Sequence, residues 1–142
     1  PRSNPVDLVL SDASRITAGI LLLTIVTIEF GGTFMLRVVG GGMPLTGFQK
    51  TFFRAGHAHA GVLVILGLVC QLLADVTTLE AAWGTVARAG VPAGAILLPA
   101  GFFLSALGAE RTQPNQLKVL LYLGAVAVAA GTLTLGIGLL TA

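Results

Sequence analysis

Four stretches of this chain, 16–36, 55–74, 90–108 and 117–140, run almost without charge. A helix rising 1.5 Å per residue needs about 20 residues to cross a hydrocarbon core of roughly 30 Å. Four such runs in 142 residues leave room only for connections between them. The expected fold is all-α: a polytopic, four-transmembrane-helix bundle forming a single membrane domain over 1–142. Composition points the same way. Only 10% of residues are charged and mean hydropathy is +0.93, whereas a soluble domain carries about 25% charged residues. Too little polar surface exists to clothe a water-soluble globule. The net charge of +2 comes from basic residues scattered at segment ends, so a nucleic-acid partner is not expected. Cys70 is the only cysteine, which rules out an internal disulfide.

The ends of the runs suggest how the chain sits. Arg37, Lys50, Arg54, Arg111 and Lys118 gather on one side. Arg2, Arg15 and Arg88 lie on the other, offset by Asp7, Asp12, Asp75 and Glu80. Cations favour the cytoplasmic side, so both termini are expected outside. Six arginines against two lysines, with abundant Ala, Gly and Val, suggest a bacterial cytoplasmic (inner) membrane. Residues 1–12 hold no apolar stretch, so no cleavable leader is expected. Ser11, Asp12 or Ser14 would cap the first helix, and Asp75 would close the second. Pro92 is expected near the first turn of the third span, where proline is tolerated, and Pro99 near its middle, where it frees the Ala95 carbonyl. Trp83 suits a headgroup-level anchor, and Lys50 and Arg54 suit snorkelling cations.

Apolar side chains gain little by leaving lipid, so membrane helices associate through close packing at small residues. Gly124, Ala127, Gly131, Thr134 and Gly138 are spaced 3, 4, 3, 4 along the fourth span. That stripe can face a neighbour in the same chain, another copy or a partner in a membrane complex. Besides the lipid bilayer, a homo-oligomer or complex partner is therefore expected there.

One acid lies deep in the first run. Counting from span centres places Glu29, His57, His59, Ser105 and Tyr122 in one layer of the cytoplasmic half. An ionisable group at bilayer depth is expensive and marks a functional site by default. Desolvation favours the neutral acid and a nearby imidazole the carboxylate, so a Glu–His pair can share a proton. The structural alternative is a neutral Glu29 hydrogen-bonded to a Thr, Ser or Tyr of a neighbouring helix. His57 and His59 point about 200° apart on a regular helix and cannot readily share one metal ion.

The segment 52–66, with Gly56-His57-Ala58-His59-Ala60-Gly61 at its centre, resembles small four-span bacterial integral membrane proteins of no assigned activity. The segment 27–32, Thr27-Ile28-Glu29-Phe30-Gly31-Gly32, fits the same resemblance. The His-x-His pair also looks like the haem-copper oxidase helix that ligates two haems from opposite faces, although the further histidines of that family are absent.

Three functions compete. The leading expectation is proton- or cation-linked channel or transport activity centred on Glu29, His57 and His59, with no cofactor. The alternatives are a redox protein holding haem b, or less readily copper, through His57 or His59, and a non-catalytic accessory subunit of a membrane complex. No Ser-His-Asp set, phosphate-binding loop or metal-hydrolase motif points to an enzyme.

Overall fold

A computed structural model describes residues 9–142. Arg2 and Asp7 of the charge count, and residues 1–8 of the N-terminal segment, lie outside the described residues. Four helices account for the apolar runs: α1 Asp12–Val39, α2 Gly47–Ala74, α3 Ala81–Ser105 and α4 Val119–Leu140. A 3-10 turn, Gln116–Lys118, leads into α4. Each helix, with that turn counted into the fourth, is long and apolar enough to cross a membrane. The expected multi-pass four-helix architecture is present.

Three helices begin earlier than hydropathy alone suggested, α1 by one turn and α2 and α3 by more than two. α2 starts at Gly47 because Thr46 and Gln49 form a reciprocal capping box. Thr46 Oγ1 accepts from Gln49 N at 3.2 Å, and Gln49 Oε1 accepts from Thr46 N at 3.2 Å. This satisfies two amides that would otherwise be orphaned. α3 starts at Ala81 and carries Arg88 inside it. Pro92 therefore sits three turns into α3 and not in the first turn, a correction to the sequence reading. Ser11 is the cap of α1, its Oγ accepting from Ser14 N. Asp75 is the C-cap of α2, as expected.

α3 is the central element. Its Gly90 meets α4 backbone to backbone: a β-carbon there would lie 2.6 Å from Ala127 O and from Gly131 Cα. Farther along the same pair, a β-carbon on Gly124 would lie 2.7 Å from Leu98 Cγ. The last member of the stripe, Gly138, packs under Leu79. The stripe Gly124, Ala127, Gly131 and Gly138 is thus occupied within the chain, by α3 and the connection before it. On its other flank α3 meets α2, with Phe102 and Phe103 over Gly56. α1 packs mainly on α2, where Leu21 covers Gly67. A phenylalanine cluster fills the end nearest Arg37, with Phe53 and Phe103 stacked at 5.6 Å and Phe34 edge-on to Phe53 at 5.6 Å.

Candidate functional site

Two polar regions stand out, and they do different work. The first ties three helices together at the end of the bundle that carries Arg15 and Glu80. Asp75 Oδ1 accepts from Ser11 Oγ at 2.9 Å, Ser14 Oγ at 2.9 Å and Arg88 Nη2 at 2.8 Å. Its Oδ2 accepts from Ser11 N at 2.9 Å. Arg88 Nε completes the ring by donating to Ser14 Oγ at 3.2 Å. The Asp75 side chain is 11% exposed. Burial, the largest influence, pushes its carboxyl up; the bonds from Arg88, Ser11 and Ser14 together outweigh it and hold the group at about 2. Next to this ring Gln71, fully buried, donates to Arg88 O at 2.9 Å and Gly67 O at 3.3 Å. The Arg88 carbonyl is free to accept because Pro92, four residues on, has no N–H. The freed carbonyl anticipated at Ala95 from Pro99 thus has its counterpart one kink earlier.

The opposite end is tied by a second amide. Gln49, 3% exposed, donates to Ala106 O at 3.0 Å and Gly108 O at 2.8 Å. Thr46 donates to Arg111 O. α2 is thereby stapled to the connection between α3 and α4.

The second region is the mid-membrane layer. His57 lies against α1: a β-carbon on Gly31 would be 3.6 Å from its Nδ1, and one on Gly32 3.9 Å from Nε2. Glu29, two residues before Gly31, is therefore at nearly the same depth as His57. Its direction differs. Glu29 is exposed, with no hydrogen bond or ion pair among the described residues. His59 is exposed on another face of α2, its ring 4.9 Å from that of Phe102. Its Nδ1 lies 2.8 Å from Ala55 O. A carbonyl only accepts, so Nδ1 carries a proton, and Nε2 has no hydrogen bond among the described residues.

The remaining two members separate from these. Phe102 and Gly101 mark the α3 level that meets Gly56 and Leu121. Tyr122 is at that level but 67% exposed on the outside of α4. Ser105 is a turn beyond it, at the last residue of α3 and fully buried. Its carbonyl accepts from Asn115 N at 2.9 Å. Its Oγ has no partner among the described residues. The structure thus brings His57 to α1 beside the level of Glu29, and leaves Glu29, His59 and Tyr122 on three outward faces.

The Asp75 ring is what sequence reading missed. Its signal was present as Ser11-x-x-Ser14 at one helix start, and as an acid and an arginine flanking the α2–α3 connection. Among the described residues, no group of three or more His, Cys, Asp or Glu gathers as a metal site. The chain matches no known protein-family model, no curated protein and no solved structure.

Proposed function

We propose that the protein carries protons, or a small cation coupled to them, across the cytoplasmic membrane of a bacterium, with Glu29 as the titrating carboxyl. The supporting observation is that Glu29 has no part in holding the chain together. Helix-to-helix polar bonds are made by Asp75, Arg88, Ser14, Gln71 and Gln49, and none by Glu29 among the described residues. An intramembrane acid carries a cost of several kcal/mol by insertion scales. Such a group without structural work reads as functional. His57, packed against α1 at Gly31 and Gly32, is the imidazole nearest its level, and His59 stands on another face of α2.

Exposure of Glu29 favours an assembly in which a second copy, or another membrane protein, covers that face of α1. We assign the assembly contact there and not to the α4 stripe, whose glycines α3 and Leu79 already cover. The side bearing Arg37, Lys50, Arg54, Arg111 and Lys118 is taken as cytoplasmic. Liposomes with a pH-sensitive dye inside test the proposal. Wild-type protein should dissipate an imposed pH gradient, and Glu29→Gln should slow it about tenfold or more, the effect of ~1.4 kcal/mol at the barrier. Flux unchanged in Glu29→Gln and in His57→Ala/His59→Ala overturns it.

A second reading rests on His59. A ring that donates Nδ1–H to a carbonyl and leaves Nε2 without a bond among the described residues is held as metal-bound imidazoles are. Haem b held between two chains through His59 fits that orientation. Purified protein with no Soret absorption removes this reading.

A further inference from the structure

α1 and α3 both flank α2 without closing on one another, and a groove of ≈ 260 Å³ runs between them. Ala60 and Val64 of α2 form its floor, with Leu21 and Ile28 on the α1 wall and Pro92 and Ala95 on the α3 wall. Small side chains on the floor and the α3 wall keep it open. A second recess of ≈ 380 Å³ shares Thr17 and Pro92 with it and adds Thr85 and Arg88. Adjoining at Thr17 and Pro92, the two make a channel whose lining is mostly apolar, with Thr24 and Thr27 the exceptions, and whose charged mouth lies beside the Asp75 ring.

We propose that this channel seats one acyl chain of a membrane phospholipid, with the phosphate at the Arg88 mouth. Length is the first argument. From Thr17 to Ile28 is eleven helical steps, about 16 Å, which matches one leaflet of a core about 30 Å thick. Polarity is the second: the Thr17 hydroxyl and the Arg88 Nη1, the guanidinium nitrogen outside the Asp75 ring, stand at the headgroup level where a phosphate can accept from them. Mostly apolar walls follow below, Thr24 and Thr27 excepted. Width is the third. A helix with its side chains is about 10 Å across, too broad for this volume, so the groove suits a chain of methylenes and not a helix of a second copy. An empty groove would forfeit the dispersion contacts of its walls. The groove ends at Ile28 and Ala60, at the level of Glu29, but Glu29, His57 and His59 do not line it, so the lipid site and the proton reading can fail separately.

The test is native mass spectrometry of protein extracted from membranes in mild detergent. The expected result is one phospholipid per chain. Ala95→Phe, which fills the groove, should cut the bound fraction about tenfold, equivalent to ~1.4 kcal/mol. Val126→Phe, on the exposed face of α4, should leave it unchanged. A second measurement covers the case in which Ala95→Phe fails to fold. In a Trp83→Phe background, Ile96→Trp places a fluorophore on the groove edge. One equivalent of chain-brominated phospholipid in detergent should quench it severalfold relative to the unbrominated lipid. Lipid-free chains, equal loss in Val126→Phe, or no quenching at one equivalent overturns the proposal.

Discussion

Asp75 offers the sharpest test of what holds the helices together. Its carboxyl is held at about 2 against an ordinary value of 3.8. At ~1.36 kcal/mol per pH unit the difference amounts to about 2.5 kcal/mol. The site lies at a helix end where water and salt screen charges, so about 1–2 kcal/mol of this should reach the stability. The folded value lies below the ordinary one. The stabilisation is therefore complete above pH ~4 and is lost as pH falls towards 2. Asp75→Asn removes it at every pH. Unfolding by SDS in mild detergent, followed by circular dichroism, should show the variant about 1–2 kcal/mol less stable at pH 7. The gap should close as the pH is lowered to about 2. Arg88→Met should cost more, about 3 kcal/mol, because it leaves a mostly buried carboxylate without its cation. Combining the two changes should recover part of that loss. A gap equally large at pH 7 and pH 2, or a double variant as unstable as the sum of the singles, would refute the account.

Gln71→Leu should destabilise by about 1–3 kcal/mol, by stranding the Arg88 carbonyl. Adding Pro92→Ala should restore part of it by supplying the missing N–H, and an absence of rescue in the same SDS titration counts against the pairing. Gly131→Val should cost several kcal/mol and splay α3 from α4, since its β-carbon meets Gly90 Cα at 2.9 Å. Gly136→Ala, with nothing within 4 Å, should stabilise by about 0.5–1 kcal/mol through helix propensity; equal effects from the two would contradict the α3–α4 contact. Ser105→Ala should be neutral or stabilising by up to about 1 kcal/mol, because its buried hydroxyl has no partner among the described residues. Proton flux in that variant should match wild type, and a flux defect would return Ser105 to the functional layer.

The number of spans, and which described charges gather at which end of the bundle, were legible because each depends on composition along the chain alone. The helix starts at Gly47 and Ala81 were not, because a hydropathy reading halts at Lys50, Arg54 and Arg88. Arg88 loses most of its cost to Asp75, thirteen residues back, and only the folded hairpin brings the two together. The same reading drew α3 too short at its start and too long at its end. That shift moved Pro92 into the first turn and put Ser105 too near the middle of the membrane.

Depth and direction differ in how a sequence encodes them. Counting residues put Glu29 and His57 at one level, and His57 does meet α1 at Gly31 and Gly32. Direction around the helix was harder to read because lipid and protein interior are equally apolar, so hydrophobicity marks no face. What remains is packing period. On α4 the glycines every seven residues identified the buried seam correctly. On α1 the comparable signal is quieter: Ser14, Leu21 and Met35 are buried, and Ile28 completes their seven-residue row. Glu29 follows Ile28 by one residue, about 100° around the helix, which takes its carboxyl off the seam. The polar groups that bind helices lie near the ends of this bundle, where Asp75, Arg88 and Ser14 bond one another and Gln49 and Gln71 donate to backbone carbonyls. At its middle Glu29 and His59 are exposed and bond no other helix among the described residues. A bundle held by its ends does not need them for folding, so substitutions at Glu29 and His59 should leave stability within about 0.5 kcal/mol of wild type, and any change in the proposed proton flux can then be read apart from folding.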